Sequence, residues 1–430
     1  MMQLIVVLFF AFLGCALAGG PNVGKRTYGG YQVFRLKPGN QKGLDLLVDW
    51  FKNERDGIDF WRPPKSLEDS VDIQVEPDFL DTVKKELASA NIKVKLLFGD
   101  LGKTIEKERQ ENSKQWKSGL STFKYQAYHR LTEIQTWLDD IAATCPSNLN
   151  CDVTSIGKTY EQREMKMIRI GEVGLSNKPA IWIDCGIHAR EWISPATCVY
   201  TIYRFITDFT RGYSRVTSLL RKFDFYIMPN ANPDGYEYSW NMNRMWRKTV
   251  TPQYDLGSPC IGVDPNRNWD YQWMAAGASS NPCSDGYGGR SAFSEVETQA
   301  MSNFVYANRA TIKAFISLHS YGQMFLTPWG VGSALPADYT ELYRVASAAA
   351  TELKAMYGTT YRIGSITTLL YDAAGGSIDW TKAVAGIKYS MAYELRDTGT
   401  YGFMLPASQI LSTAKETYAS LQRLAEEIQV

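Results

Sequence analysis

Five short apolar runs constrain this chain more than any other feature. They lie at 165–170, 180–183, 223–228, 312–318 and 387–395. Runs of this length suit strands covered on both faces. Helical patterns sit between several of them, at 194–209 and 338–356, and a last one covers 413–428. Strands alternating with helices predict an α/β fold with a mixed, largely parallel central sheet, covered by helices on both faces. The unit opens with a helix whose Ile134, Trp137, Leu138 and Ile141 recur at helical spacing, with Thr132 and Gln135 placed as a capping box.

Polar chemistry collects where these runs end. His188 and Glu191 follow the second run, His319 ends the fourth and Glu394 sits at the end of the fifth. Open α/β sheets bind ligands outside the carboxyl ends of their strands. His188 and Glu191 are three residues apart, so a helical turn would aim an imidazole and a carboxylate at one point. In isolation a His-x-x-Glu is most often surface decoration, and a strand-end histidine a satisfied core residue. Here the chain has only 3 histidines, and two of them stand at strand ends. Two imidazoles and one carboxylate make a three-ligand zinc site with an open fourth position, the form that catalytic zinc takes.

The first half of the chain is organised differently. Residues 1–18 read as a signal peptide: a short apolar run ending in Ala16-Leu17-Ala18, without Lys or Arg before it. A secreted, extracellular protein is the expectation, with no membrane span. From about 19 the pattern is that of a small α+β unit, with strands around Tyr31–Leu36, 71–75 and 92–96 and helices at 43–52 and 78–90. Residues 102–117 are polar and charged and read as a solvated, partly helical connector, with Arg109, Lys114 and Lys117 open to a protease. Once Cys15 leaves with the leader, six cysteines remain. No Cys-x-x-Cys is present, so disulfides are expected rather than a zinc cluster. Nearest-neighbour pairing gives Cys145–Cys151, Cys185–Cys198 and Cys260–Cys283, although sequence alone does not select it. With 46 basic and 45 acidic residues, nothing suggests a nucleic-acid or acidic-membrane partner.

Local motifs then add a family resemblance. HAREW at 188–192, NPDGY at 232–236, NRMWRK at 243–248, GVDPNRNW at 262–269 and HSYGQ at 319–323 occur in this order. LLYDAAGGSIDW at 369–380 and ELRDTGTYGFMLP at 394–406 continue it. Over 118–430 the chain resembles the zinc metallocarboxypeptidases of the pancreatic carboxypeptidase A and B type. Carboxypeptidase A is itself a standard example of a two-His, one-Glu zinc site. The resemblance implies a catalytic domain at 118–430 preceded by an inhibitory antiparallel-sandwich propeptide with its connector at 19–117. It implies one Zn2+ per chain, held by His188, Glu191 and His319, and a zymogen activated by a trypsin-like protease, with Lys117 favoured as the final cut. Peptide and protein C-termini are the implied substrates, proteinaceous carboxypeptidase inhibitors are implied partners, and a monomer is expected.

The same resemblance implies roles residue by residue. Glu394 matches the general base and Arg247 the group that steadies the oxyanion. Asn266 and Arg267 match the pair that grips the terminal carboxylate, and Tyr371 the tyrosine that closes over substrate. Arg190, Arg244, Ser320 and Tyr321 match further substrate contacts. Ile378 matches the floor of the side-chain pocket, where relatives that cut after Lys or Arg carry an acid, so an aromatic or aliphatic end is expected. Asp379 reads as structural, and Ala392 as a small pocket-lining residue. Three rivals remain in view: a binding protein of the same fold without activity, a serine hydrolase, and a first unit that inhibits other enzymes. Glu394 and Arg247 argue against the first, and the lack of Gly-x-Ser-x-Gly against the second.

Overall fold

The computed structural model describes residues 25–114, 123–175 and 178–430. The leader reading at 1–18 and the favoured cut at Lys117 lie outside them. Among the described residues no helix is long and apolar enough to cross a membrane.

The small unit is a four-stranded antiparallel sheet of β1 (Gln32–Lys37), β2 (Ile58–Arg62), β3 (Val71–Val75) and β4 (Lys93–Phe98), in the order β2-β3-β1-β4. Helices Gln41–Lys52 and Leu80–Ser89 complete it, and the first is capped by the Asn40 side chain, which accepts from the Gly43 amide at 3.0 Å. Its core joins Phe34, Leu36 and Ile73 of the sheet to Leu47, Trp50, Val83 and Leu87 of the helices. Strand β2 has no counterpart in the sequence reading. It is mostly half-buried and mixes Asp59 and Arg62 with aromatics, so its periodicity is weak. The connector is helical over most of its length, as Leu101–Ser113, capped by Asp100. Leu101 and Ile105 bury one face of it, while Lys103, Glu106, Lys107, Gln110 and Glu111 leave the other solvated.

The large unit is built on eight strands: β5 (Leu149–Lys158), β6 (Glu164–Glu172), β7 (Ala180–Cys185), β8 (Asp224–Met228), β9 (Ile312–Ser320), β10 (Met324–Thr327), β11 (Arg362–Ser365) and β12 (Tyr389–Leu395). Their order is β11-β10-β12-β9-β7-β8-β6-β5. The centre, β12-β9-β7-β8, is parallel, as is β10 with β11. The β5–β6, β6–β8 and β10–β12 pairs are antiparallel. Successive side chains of β7 point to opposite faces. Ile181 and Ile183 pack with helices Ile193–Thr210, Tyr339–Tyr357 and Ile410–Glu427, while Ala180 and Trp182 pack with helices Val296–Ala307 and Ser377–Ala383. The helix expected to be capped by Thr132 starts two residues earlier, as Leu131–Ala143 with Arg130 at the cap. Its Glu133, rather than Gln135, reaches back to accept from the Arg130 amide at 2.9 Å. All three nearest-neighbour disulfides form.

The two units share an apolar seam: Tyr28, Val33, Trp61, Leu101 and Ile105 meet Met245, Tyr321, Phe403 and Met404. Charged contacts flank it. Asp72, fully buried, takes two bonds from Arg35 at 2.7 Å and one from the Tyr321 hydroxyl at 2.8 Å. Glu108 of the connector helix takes a forked pair from Arg244, at 2.6 and 3.0 Å. Arg244 is 1% exposed, so removing Glu108 strands a buried cation. With the connector cut, Glu108→Ala should weaken binding of the small unit to the large one by about 10- to 100-fold, read by titration calorimetry.

Candidate active site and metal centre

Strand β7 ends at Cys185, and the chain must turn at once to bring His188 back over the sheet. Gly186 makes this possible with φ +67, where an added Cβ would also meet the Pro195 ring at 2.8 Å. The next residues form a turn, closed by the Glu191 amide on the His188 carbonyl at 3.3 Å, not the helix expected from the spacing. The turn still aims both side chains at one point. His188 Nδ1 lies 2.8 Å from Glu191 Oε1, and His319 Nδ1 lies 3.1 Å from His188 Nδ1 and 3.3 Å from Glu191 Oε2. All three residues are buried, and one donor atom from each lies within 4.8 Å of the others.

This set fits a metal ion. Two imidazole nitrogens that face each other at 3.1 Å cannot both keep a proton there. Their outer nitrogens are already engaged: His188 Nε2 with Asp264 Oδ1, and His319 Nε2 with Ser317 Oγ, each at 3.1 Å. Placing the protons on those outer atoms leaves two lone pairs and a carboxylate oxygen converging, as a tetrahedral N,N,O site needs. Burial alone would raise the Glu191 carboxyl, but His188 and His319 outweigh it and hold it well below the usual range. Burial, then the charge of Arg247, lowers His188. Burial also works against charge on His319, but the Glu191 carboxylate raises it overall.

The cluster lies at the floor of a cavity of about 1150 Å³ between the two units. Glu394 faces it because β12 runs parallel to β9 with Glu394 opposite His319. Burial pushes the Glu394 carboxyl up to about 8, with Glu191 adding to the rise and His319 and Arg247 opposing it. Arg396 pairs with Glu416, so Glu394 is not its salt-bridge partner. Arg247 reaches in from the opposite wall, 3.9 Å from Glu191 and held by Asp264 at 2.8 Å. Arg267 donates to the Tyr371 hydroxyl at 3.3 Å, and Asn266 accepts from the Ser377 amide at 2.9 Å. Ile378, 3% exposed, and Ala392 line the apolar end with Leu326, Ile366 and Leu370. Asp379 points away and accepts from the Gly330 amide at 2.7 Å.

The remaining expected contacts divide. Ser320, Tyr321 and Arg190 line the cavity. The Ser320 amide donates to Glu191 Oε2 at 3.1 Å, so it also braces that carboxylate. Arg190 bridges Asp285, at 3.0 Å, and Asp59 of the small unit, at 3.1 Å. Arg244 does not line the cavity while the activation segment is in place. It lies 3.6 Å over the Trp192 ring, bonded to the Arg190 and Phe403 carbonyls and to Glu108. Its fork is thus held in part by the activation segment, as Arg190 is by Asp59.

Comparison with known proteins agrees with this geometry. A family model described as zinc carboxypeptidase matches residues 134–420, and one described as carboxypeptidase activation peptide matches 34–108. The chain belongs to the zinc carboxypeptidases. It is 40% identical over 425 residues to carboxypeptidase A2 of Mus musculus, covering 99% of this chain and 98% of that protein. It is 38% identical over 434 residues to carboxypeptidase B of Homo sapiens, covering 99% of each. Among solved structures, thrombin activatable fibrinolysis inhibitor superposes with a TM-score of 0.84 at 34% identity, over 92% of this chain and 98% of that one. Carboxypeptidase A from Helicoverpa armigera also gives 0.84, at 27% identity, over 93% and 98%. The chain is thus a metallocarboxypeptidase that carries its own activation peptide. A-type and B-type relatives match about equally well, so similarity does not choose a side-chain preference.

For this carboxypeptidase the sequence reading missed the groups that hold the site rather than line it. Asp264 binds His188, Arg247 and the Asn266 amide at once. It lies inside the GVDPNRNW motif, and its sequence signal was an acid among the substrate-binding residues. Arg247 holds it far below its ordinary range despite the opposing effect of burial. Asp59, Asp72 and Phe51 of the activation peptide had no local signal, since each meets a residue of the other unit: Arg190, Tyr321 and Tyr371. Glu191→Ala should lose zinc affinity by more than about 100-fold, beyond what outer partners cost, as read by chelator competition on the folded protein.

Proposed function

We propose that this protein is a secreted zymogen of a zinc exopeptidase that removes aromatic or aliphatic residues from peptide and protein C-termini. One observation carries the reading: a buried His188–Glu191–His319 cluster shares a cavity with Glu394, Arg247, Arg267 and an apolar pocket floored by Ile378. One zinc per chain would sit on the three ligands, lowering the pKa of a water and polarising the scissile carbonyl. Glu394 takes a proton from the attacking water at its carboxylate and then delivers one to the leaving amine. Its enclosed position favours that exchange, because burial raises its proton affinity. Arg247 sets positive charge where the carbonyl oxygen turns negative. Arg267, with Asn266 beside it, grips the substrate's terminal carboxylate through its fork, and Tyr371 covers it. Arg190, Ser320 and Tyr321 bind the residues that precede the cut. Arg244 is paired with Glu108 until the activation peptide leaves, and joins them once that partner is gone.

The activation peptide blocks this groove from above. Phe51 sets its ring 5.6 Å from Tyr371, Asp59 occupies Arg190 and Asp72 holds Tyr321. A trypsin-like protease would release it by cutting at Arg109, Lys114 or Lys117, with mature enzyme at 118–430. Proteinaceous inhibitors are further partners, as in the solved complex of bovine thrombin-activatable fibrinolysis inhibitor with tick carboxypeptidase inhibitor. Three disulfides suit an oxidising, extracellular compartment, and the working form is a monomer.

The activated enzyme should cleave a peptide ending in free Phe and leave its C-terminal amide intact, as read by mass spectrometry; equal cleavage of the two would refute an exopeptidase. Glu394→Gln should lower kcat by about 100- to 10,000-fold. In the wild type, kcat/KM should rise with pH through the Glu394 pKa, since the base works only when ionised. That limb should lie below 8, because a cation on the three ligands lowers the value that burial sets.

The pocket gives a separate test. Ile378 offers a buried Lys or Arg no counter-charge, while burying an aromatic side chain gains roughly 1.5–3 kcal/mol. Release of Phe should therefore exceed release of Arg by at least about 10-fold in kcat/KM. Ile378→Asp should shift the ratio toward Arg. A wild-type preference for Arg would sink the pocket assignment and leave the zinc assignment standing.

A further inference from the structure

Behind the ligand cluster lies a chain of polar groups with no access to solvent. Strand alternation puts Ser317 and His319 of β9 on one face of the sheet, and Trp182 and Asp184 of β7 on the same face. The parallel register sets Asp184 directly opposite Ser317. Trp182, Asp184 and Ser317 are 0% exposed. Asp184 Oδ2 accepts from the Trp182 indole at 2.9 Å, and Oδ1 accepts from the Ser317 hydroxyl at 2.7 Å. Ser317 Oγ in turn lies 3.1 Å from His319 Nε2.

We propose that Asp184 and Ser317 form a hydrogen-bond relay that fixes the tautomer and orientation of His319, making both of them positioning residues for the zinc site. The proton count leads there. An indole N–H only donates, so Asp184 must accept from Trp182. The serine has one proton, and it is spent on Asp184. Its lone pairs then face His319, so the proton between them belongs to Nε2. Nδ1 is left unprotonated, and it is the atom that faces His188 and Glu191. His188 reaches the same state by a shorter route, with Nε2 bonded directly to Asp264 Oδ1 at 3.1 Å. The two imidazoles are thus held by carboxylates of different reach. Asp264 is also tied to Arg247 in the cavity wall, whereas Asp184 is tied only into the sheet. A carboxylate acting through a bridging hydroxyl serves an outer-partner role that commonly affects metal affinity by about 10–100-fold.

The relay rests on the reading of His319 as a zinc ligand, and the test separates the two. Full-length protein is prepared as wild type, Ser317→Ala, Asp184→Asn, the double variant and Glu191→Ala, and zinc affinity is measured by chelator competition. Each relay variant should bind zinc about 10- to 100-fold more weakly, with the double variant close to the weaker single one, because both break one chain. With only 3 histidines, 15N-histidine labelling reads each tautomer directly. Zinc-free wild type, above the imidazole pKa, should carry the His319 proton on Nε2, and Ser317→Ala should lose that preference. A folded Ser317→Ala that binds zinc within about threefold of wild type, while Glu191→Ala does not, overturns the relay alone. A wild-type His319 proton on Nδ1 overturns it too, even if Asp184→Asn fails to fold. Unchanged zinc binding by Glu191→Ala overturns the ligand reading and the relay with it.

Discussion

The register between β7, β9 and β12 is the constraint on which this protein depends. Parallel pairing sets Asp184 opposite Ser317 and His319 opposite Glu394. Side chains on a strand alternate between faces, so a slip of one residue would send His319 and Glu394 to opposite sides of the sheet. The apolar runs prevent that slip. Ile316 and Leu318 must meet the helices on one face while Phe315 meets those on the other, and the polar residues of the alternation fall into place with them. A site needing sub-ångström placement is thus positioned by the non-specific force that buries Ile and Phe.

Electrostatics completes what the register begins. Glu191, Asp264, Arg247 and both histidines lie in one network, and each charge has a partner of opposite sign or a hydrogen bond. Unpaired, any of them would cost several kcal/mol in such a place. Asp264 is the hinge of the arrangement, since it orients a ligand, an arginine and the loop carrying Asn266 and Arg267 together. Glu394 is the exception. Among the described residues no cation forms an ion pair with it, and burial raises its proton affinity against the opposing charge of His319 and Arg247.

The activation peptide exploits the same chemistry. It meets the large unit with carboxylates, Asp59, Asp72 and Glu108, aimed at Arg190, Tyr321 and Arg244. Such pairs add modest strength once desolvation is counted, but they fix one docking geometry. The apolar seam of Trp61, Leu101 and Ile105 on Phe403 and Met404 supplies adhesion. Because the connector helix is part of that seam, a cut beyond Ser113 leaves its packed portion continuous with the small unit.

By itself the sequence determined the core of the large unit, because five apolar runs and the helical patterns between them admit little besides a covered sheet. It also carried the candidate ligands His188, Glu191 and His319, and Glu394 beside them, since all four stand where strands end and family motifs surround them. Strands β2, β5, β10 and β11 were not legible: β10 and β11 are only four residues long, β2 and β5 are mixed in polarity, and their neighbours make them strands. Thr132 misled about a helix start because capping depends on where the preceding chain leaves the surface, which local spacing does not record. Only tertiary structure decided the duties of Arg244 and Asp264 and of the Asp184–Ser317 pair. Their partners lie far along the chain, so nothing local marks them. A charged side chain in a motif reads as a substrate contact until the fold shows whether it faces the cavity or the protein behind it.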